Sequence, residues 1–174
     1  MRKIKKTSKI IKNIGKLIFW ITAWASVLVG VFVLLNIGNL ENMTFSLDSQ
    51  QIPIAQLDAI GRTTIILVFW LLVAVFLRGL WHAIKLFGLY EKGEIFLAEN
   101  IKHIKRIGET LILWAIIKVL TSFAVTSVML YEGLDTGINV TFNLTALMIG
   151  LLIYVISWVM DEGRKLREEH ELTI

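Results

Sequence analysis

The sequence predicts an all-α integral membrane protein, folded as a bundle of four transmembrane helices. Of its 174 residues, 56% are hydrophobic and only 18% are charged, and the mean hydropathy is +0.70. An average soluble domain has a smaller hydrophobic fraction and a larger charged fraction. A bilayer core about 30 Å thick needs roughly 20 apolar residues per spanning helix, and four segments reach that length. Their long continuous runs differ from the short alternating strands of membrane barrels.

The four spans are expected at about residues 17–38, 63–86, 109–130 and 144–161. The first lies between Lys16 and Glu41, which enclose no other charged residue. This stretch is too long for the apolar part of a signal peptide, so we expect it to remain in the protein. The fourth lies between Asp135 and Asp161, again with no charge in between. The spans together make residues 1–174 a single membrane domain.

Basic residues collect on one side of the predicted membrane. The arm before the first span carries seven, and the connection between spans two and three carries five. The two connections on the other side contain only Arg62. Since Lys and Arg beside spans are retained in the cytoplasm, both termini are expected to be cytoplasmic. Five of the six tryptophans fall in the cytoplasmic halves, as an interfacial belt would, and Trp70 is the exception.

The connection between spans two and three has the pattern of a basic amphipathic helix. Ile101, Ile104 and Ile107 recur at helical spacing, while Lys102 and Lys105 fall off that stripe. We expect the segment 89–108 either to lie on the inner membrane surface or to run straight into span three. Gly93 is expected to break the chain between span two and this helix.

Two further segments have weaker patterns. The tail 162–174 is mixed in charge and should continue span four as a helix into the cytosol. On the other side, MTFSLD and INVTFNLT alternate polar with apolar or β-branched residues. This pattern fits either irregular loops or two strands that pair as a short extracytoplasmic hairpin-like cap.

Charged residues inside the spans predict a binding pocket. Arg78, His82 and Lys85 follow one another at spacings of four and three, which places them on one stripe of a helix. Arg78, like Lys118 in span three, lies roughly 15 Å from the cytoplasmic end. A charge at that depth costs about 2.5 to 3.5 kcal/mol. We therefore expect a cationic, partly hydrated pocket with the following lining: Arg78, His82, Lys85, Lys118, Asp161 and Glu162.

In this pocket Asp161 and Glu162 are the expected counter-charges. The candidate occupants are an anionic lipid headgroup, a small anion or the protein's own acidic tail. A second interpretation remains open, in which the long basic side chains only extend to lipid phosphates.

Other classes of function are disfavoured. The net charge is +4, but the basic residues stand beside span ends, which fits anionic lipid better than nucleic acid. We therefore expect no direct nucleic-acid binding. The chain has no cysteine for a thiolate site. The side chains of the acidic run at 168–171 would point in different directions around a helix, so they are not arranged to bind one metal ion. No nucleophile, zinc or phosphate-loop motif is present, so we expect no enzyme, metal or cofactor.

Several short motifs resemble the bacterial membrane-protein family catalogued as domain of unknown function 2975. The motifs are GEIF followed by AEN, then IKHIKRIG leading into span three, and the terminal EEHELTI. Their most specific positions are Gly93, Phe96, Glu99, Asn100, Gly108, Leu166, Glu169, Glu171, Leu172 and Thr173. The resemblance implies four helices in the bacterial inner (plasma) membrane and, often, a small helix-turn-helix regulator encoded nearby.

Two functions follow from these observations. In the first, the protein is a signalling or scaffolding module whose cytoplasmic segment and tail bind a partner such as a helix-turn-helix regulator. In the second, it is one protomer of an oligomeric transporter or channel, and the cationic pocket is a binding site for an anion or a lipid headgroup. We favour the first, with partner-binding residues Gly93, Phe96, Glu99, Asn100, Lys102, Lys105, Arg106, Glu169, Glu171 and Leu172.

Overall fold

Four long helices dominate the computed structural model, which describes residues 2–35, 44–47, 50–94, 97–134 and 140–171. The elements in chain order are α1 (Arg2–Leu34), β1 (Thr44–Leu47), β2 (Gln50–Pro53), a 3-10 turn (Ile54–Gln56), α2 (Ala59–Lys92), α3 (Ala98–Tyr131) and α4 (Leu144–Glu171). All four helices are long and apolar enough to cross a membrane. The predicted class, a helical protein with four spans, is confirmed.

The helices follow one another in an up-and-down row. The extensive interhelical contacts of the described residues join α1 to α2, α2 to α3 and α3 to α4. Lys12 near the start of α1 pairs with Glu91 near the end of α2. Ala98, the first residue of α3, lines the same groove as Asp161, late in α4. The start of α1 and the end of α4 therefore lie at one end of the bundle, which we call the basic end (residues 2–16, 85–94, 97–109 and 161–171).

The opposite end, called the hairpin end (residues 44–47, 50–58, 131–134 and 140–144), contains the two strands. β1 and β2 pair antiparallel, with Thr44 opposite Pro53 and Leu47 opposite Gln50. The strands expected from two different loops therefore do not pair with each other, because β1 finds its partner within its own loop and residues 140–143 form no strand. Pairing within one loop closes a much shorter stretch of chain, which costs less conformational entropy.

The hairpin is fastened to the helices by an apolar core. Ile52 of β2 is completely buried, and Leu57 beside it is nearly so. They pack against α2 and α3 in a cluster completed by Ile65, Val68, Val125 and Met129. Full burial of such a side chain is worth about 1.5 to 3 kcal/mol, so the hairpin is an integral part of this end of the bundle.

Asp58 begins α2 at the hairpin end. Its Oδ1 accepts a hydrogen bond from the backbone N–H of Gly61 at 2.6 Å, the usual arrangement of a helix N-cap. The backbone N–H of Asp58 donates to Oε1 of Glu132, just after α3, at 3.0 Å. This pair of bonds links the first turn of α2 to the last turn of α3.

Gly93 ends α2 at the basic end, as predicted. Its φ of 92° lies in the left-handed region, which glycine adopts without the penalty a side chain would add. After this turn α3 runs without interruption from Ala98, so the amphipathic segment continues straight into span three. Ile101 is buried and Lys102 and Lys105 are exposed, in agreement with the predicted stripe.

Candidate functional site

The six residues expected to form one pocket are divided among four places, one of which is the interior of α3, where Lys118 is buried. Arg78 and His82 on α2 meet residues of α3. Lys85 lines a groove between α1 and α2. Asp161 and Glu162 lie on α4, which packs against the other side of the row formed by α2 and α3. The stripe on α2 exists, but its residues face different neighbours.

Arg78 has a counter-charge on α3 that the sequence reasoning did not name. Its Nη2 atom lies 3.9 Å from Oε2 of Glu109, and the same oxygen accepts a hydrogen bond from Nη1 of Arg106 at 2.9 Å. Glu109 is therefore shared by two guanidinium groups, one from each helix. Such a bridge offsets the cost of placing Arg78 within an apolar run.

His82 pairs with His103 across the same interface. Their Nδ1 atoms are 3.1 Å apart, and the rings are tilted at 43° with centroids 5.4 Å apart. Because a hydrogen bond at this distance needs one donor and one acceptor, the two rings adopt complementary tautomers. Oε1 of Glu99 lies 3.9 Å from Nε2 of His103. Within the described part of the chain, no three His, Cys, Asp or Glu side chains are grouped so as to hold a metal ion.

Lys118 is buried in the interior of α3, with only 9% of the residue exposed. It lies nine residues beyond Glu109, which is about 13 Å further along the helix axis. Thr121 donates a hydrogen bond from its hydroxyl to the Lys118 carbonyl at 3.1 Å. Lys118 is therefore well separated along the bundle from the bridge formed by Arg78 and Glu109.

Asp161 and Glu162 bind basic residues of their own helix. Asp161 lies 3.2 Å from Arg164 and 3.4 Å from Lys165, and Glu162 also lies 3.4 Å from Lys165. These are pairs three or four residues apart, which stabilise a helix locally. Both carboxylates thus stabilise the last turns of α4, and the structure gives Arg78 a different partner.

A wide groove at the basic end was not predicted from the sequence; it is lined mainly by α1 and α2, and also by Glu99 and His103 of α3. It encloses about 900 Å³. We call it the lysine groove and define it by Lys12, Lys16, Trp20, Trp81, Lys85 and Lys92. Of the six residues predicted to form a pocket, only Lys85 is among its lining residues. The signal was present in the sequence as lysines at four-residue spacing on α1, which were used only to orient the chain.

The residues predicted to bind a partner separate into supporting and exposed positions. Asn100 is fully buried, and its Nδ2 donates to the carbonyl of Glu94 at 2.5 Å, so it stabilises the turn between α2 and α3. Gly93 shapes the same turn. Exposed positions are Glu99, Lys102, Lys105, Arg106 and Glu169. Phe96 and Leu172 lie outside the described residues, as does the side chain of Glu171.

The last part of α4 projects beyond the start of α3. Ala98 and Asp161 share one groove, so the start of α3 is level with Asp161. The helix then continues through 162–171, ten more residues, which extend about 15 Å. A side chain added at Gly163 would meet no atom within 4 Å. This projecting segment, the α4 extension (residues 162–171), carries Leu166 with 53% of the residue exposed.

The fold and the charge distribution define a multi-pass helical membrane protein with one basic end. A family described as a protein of unknown function, DUF2975, matches residues 42–174. The chain belongs to this family, as its motifs predicted. No curated protein and no solved structure matches the chain.

Proposed function

We propose that the protein is a signalling or scaffolding module of the bacterial inner membrane that binds a cytoplasmic protein through its α4 extension. The observation that carries the proposal is the projection of this helix past the level of Ala98 and Asp161. Most side chains of the α4 extension are exposed and are therefore available to a partner.

Two properties suit the α4 extension to docking. Arg164 bonds to Asp161 and Glu168 at 3.2 and 2.5 Å, so ion pairs within the helix hold it in shape before a partner binds. A shallow groove of about 330 Å³ runs along its start beside Leu166. An exposed leucine among charged residues is the kind of anchor that a helix inserts into an apolar groove of its partner.

The basic end is proposed to face the cytoplasm. It holds the clusters of Lys and Arg that favour retention on that side, and the hairpin end would then face outward. A helix-turn-helix regulator is the partner we propose, because the family resemblance links such a protein to this one. Signalling would further require that the partner binds two arrangements of the bundle with different affinity.

A photoreactive amino acid placed at Leu166 in native membranes tests the proposal. We expect the probe at Leu166 to capture a cytoplasmic protein. A second variant lacks residues 163–174 and carries the probe at Lys102, and we expect this variant to capture no such protein. The same probe at Tyr131, which is 77% exposed at the hairpin end, is the matched control and should not capture that protein.

Capture that is equal at Leu166 and Tyr131, or that persists at Lys102 without the tail, would contradict docking through α4. Anion flux in liposomes that vanishes in Arg78→Ala or Lys118→Ala would instead favour transport.

A further inference from the structure

We infer that the lysine groove is a binding site for one anionic phospholipid, with the phosphate at the lysines and the first part of the acyl chains against the tryptophans. This inference is independent of the docking helix, because the groove lies between α1 and α2 and shares no residue with the α4 extension. It also uses residues that the predicted pocket did not include.

The order of residues along the groove matches the order of groups in a phospholipid. On α1, Lys12 and Lys16 come first from the basic end, and Trp20 follows. On α2, which runs the other way, Lys92 is outermost and Trp81 innermost. Lys12 and Trp20 are eight residues apart, about 12 Å along the axis. The groove therefore changes from cationic to aromatic in the direction that leads into the membrane.

The aromatic part forms a closed inner end. Phe19 contacts Trp20 edge to face at 6.1 Å between centroids, and it contacts Trp81 of α2 at 5.8 Å. Trp20 and Trp81 are 59% and 47% exposed. Their rings are thus open to the surroundings at the level where tryptophan normally meets lipid headgroups.

The cationic part retains charge for a ligand. Lys12 is held by Glu91, which places its ammonium group at the groove wall. Lys16 and Lys92 form no salt bridge with any residue that the structure describes. Lys85 rests over the Trp81 ring, 5.1 Å from its centroid, between the two parts of the groove. Four lysines and two glutamates line the groove, so its charge complements a single phosphate.

An amphiphile fits this groove better than a soluble phosphate. A free phosphate would use the lysines and leave Trp20, Trp81 and Ile84 without a partner. A phospholipid would contact both halves, and α1, which forms one wall of the groove, buries little of its surface inside the protein. Each basic residue near a membrane surface strengthens binding of an anionic lipid about fivefold.

Native mass spectrometry of the full-length protein in detergent, titrated with phosphatidylglycerol or phosphatidylcholine, tests the inference. We expect one phosphatidylglycerol to bind preferentially. The double variant K16Q/K92Q should lower its affinity roughly tenfold or more. The variant K3Q/K6Q removes the same charge from exposed positions of α1 outside the groove and should have little effect.

Three results would overturn the inference. Equal losses in K16Q/K92Q and K3Q/K6Q would mean that only the overall charge of the basic end attracts lipid. Unchanged binding in K16Q/K92Q would place the lipid elsewhere. Displacement of the lipid by glycerol phosphate at similar concentration would show that the aromatic half contributes nothing. Circular dichroism of each variant confirms that the helices are intact.

Discussion

Gly108 of α3 and Gly150 of α4 cross so closely that neither position has room for a side chain. A Cβ atom at Gly108 would lie 2.9 Å from the carbonyl oxygen of Gly150 and 3.0 Å from the backbone nitrogen of Tyr154. A Cβ at Gly150 would lie 3.0 Å from the carbonyl oxygen of Gly108. Small residues that let two backbones approach are typical of helix pairs in membranes. This crossing fixes how α4 lies on α3.

Substitution at this crossing should separate the two helices. Because the nearest atoms are backbone, Gly108→Leu cannot be accommodated by a rotamer change, and we expect a loss of about 1 to 3 kcal/mol or more in the free energy of unfolding. Thermal unfolding of purified protein in detergent measures it. The control is Gly163→Ala, which meets no atom within 4 Å and should leave stability equal or slightly raised, since alanine favours helix over glycine. Equal stability of the two variants would argue against the close crossing.

Trp70 joins α1 to α2 within the half nearer the hairpin end. Its Nε1–H donates to the carbonyl of Ser26 at 3.1 Å, and its ring lies over Gly30, where a Cβ would be 2.5 Å away. We expect Trp70→Phe to lower the free energy of unfolding by about 1 kcal/mol through the lost hydrogen bond. Trp24→Phe, at a position 64% exposed, should be nearly neutral. Similar denaturant midpoints for both variants would rule out this role of Trp70.

The sequence predicted the helices well because their signals are local. Apolar run length gives the spans, and the position of Gly93 gives the end of α2. Trp70 lies outside the interfacial belt because it packs α2 against α1. This role is evident only from its contacts with Ser26 and Gly30, which are known once the two helices are seen to be neighbours. The choice between irregular loops and paired strands stayed open because short alternating segments do not specify which partner they choose.

The candidate site was less predictable because it depends on which helices become neighbours. Arg78 lies fifteen residues before Gly93, and Glu109 lies sixteen after it. His82 and His103 stand eleven before and ten after the same turn. Two helices that fold back around Gly93 must bring such equidistant residues together, so the chain did contain a signal for both pairs. Recognising this signal requires treating α2 and α3 as one helical hairpin that turns at Gly93.

Acid should weaken the N-cap that Asp58 forms on α2. The backbone N–H of Gly61 donates to the Asp58 carboxylate and holds its pKa below the ordinary value of 3.8. A lowered pKa in the folded state stabilises the fold above the ordinary value, and this contribution is lost as the pH falls through the folded pKa. We expect wild type to melt above Asp58→Asn at about pH 6 and to lose that advantage progressively as the pH falls below the ordinary value of 3.8.

The control for this pH dependence is Asp58→Ala, which removes the helix cap and should melt below wild type at neutral pH. A difference between wild type and Asp58→Asn that stays constant with pH would show that the charge of Asp58 is not involved.

Removal of the Glu109 charge should leave two guanidinium groups without their shared carboxylate. Because the Glu109 and Arg78 side chains are 29% and 43% exposed, solvent screens the bridge, and we expect Glu109→Gln to cost only about 1 kcal/mol of unfolding free energy. In a double-mutant cycle, Arg78→Met should cost less in the Glu109→Gln background than alone. Strict additivity would mean that the two residues do not interact. Glu99→Gln, at a side chain 62% exposed, is the matched control.

The two ends of the bundle should be accessible from opposite sides of the membrane. The chain contains no cysteine, so Tyr131→Cys and Leu166→Cys each introduce a single thiol at an exposed position, one at the hairpin end and one in the α4 extension. If the basic end is cytoplasmic, a membrane-impermeant maleimide should label Tyr131→Cys in intact cells with a permeable outer envelope. It should label Leu166→Cys only after the inner membrane is opened. Labelling of Leu166→Cys in intact cells would reverse the orientation and remove the basis for a cytoplasmic partner.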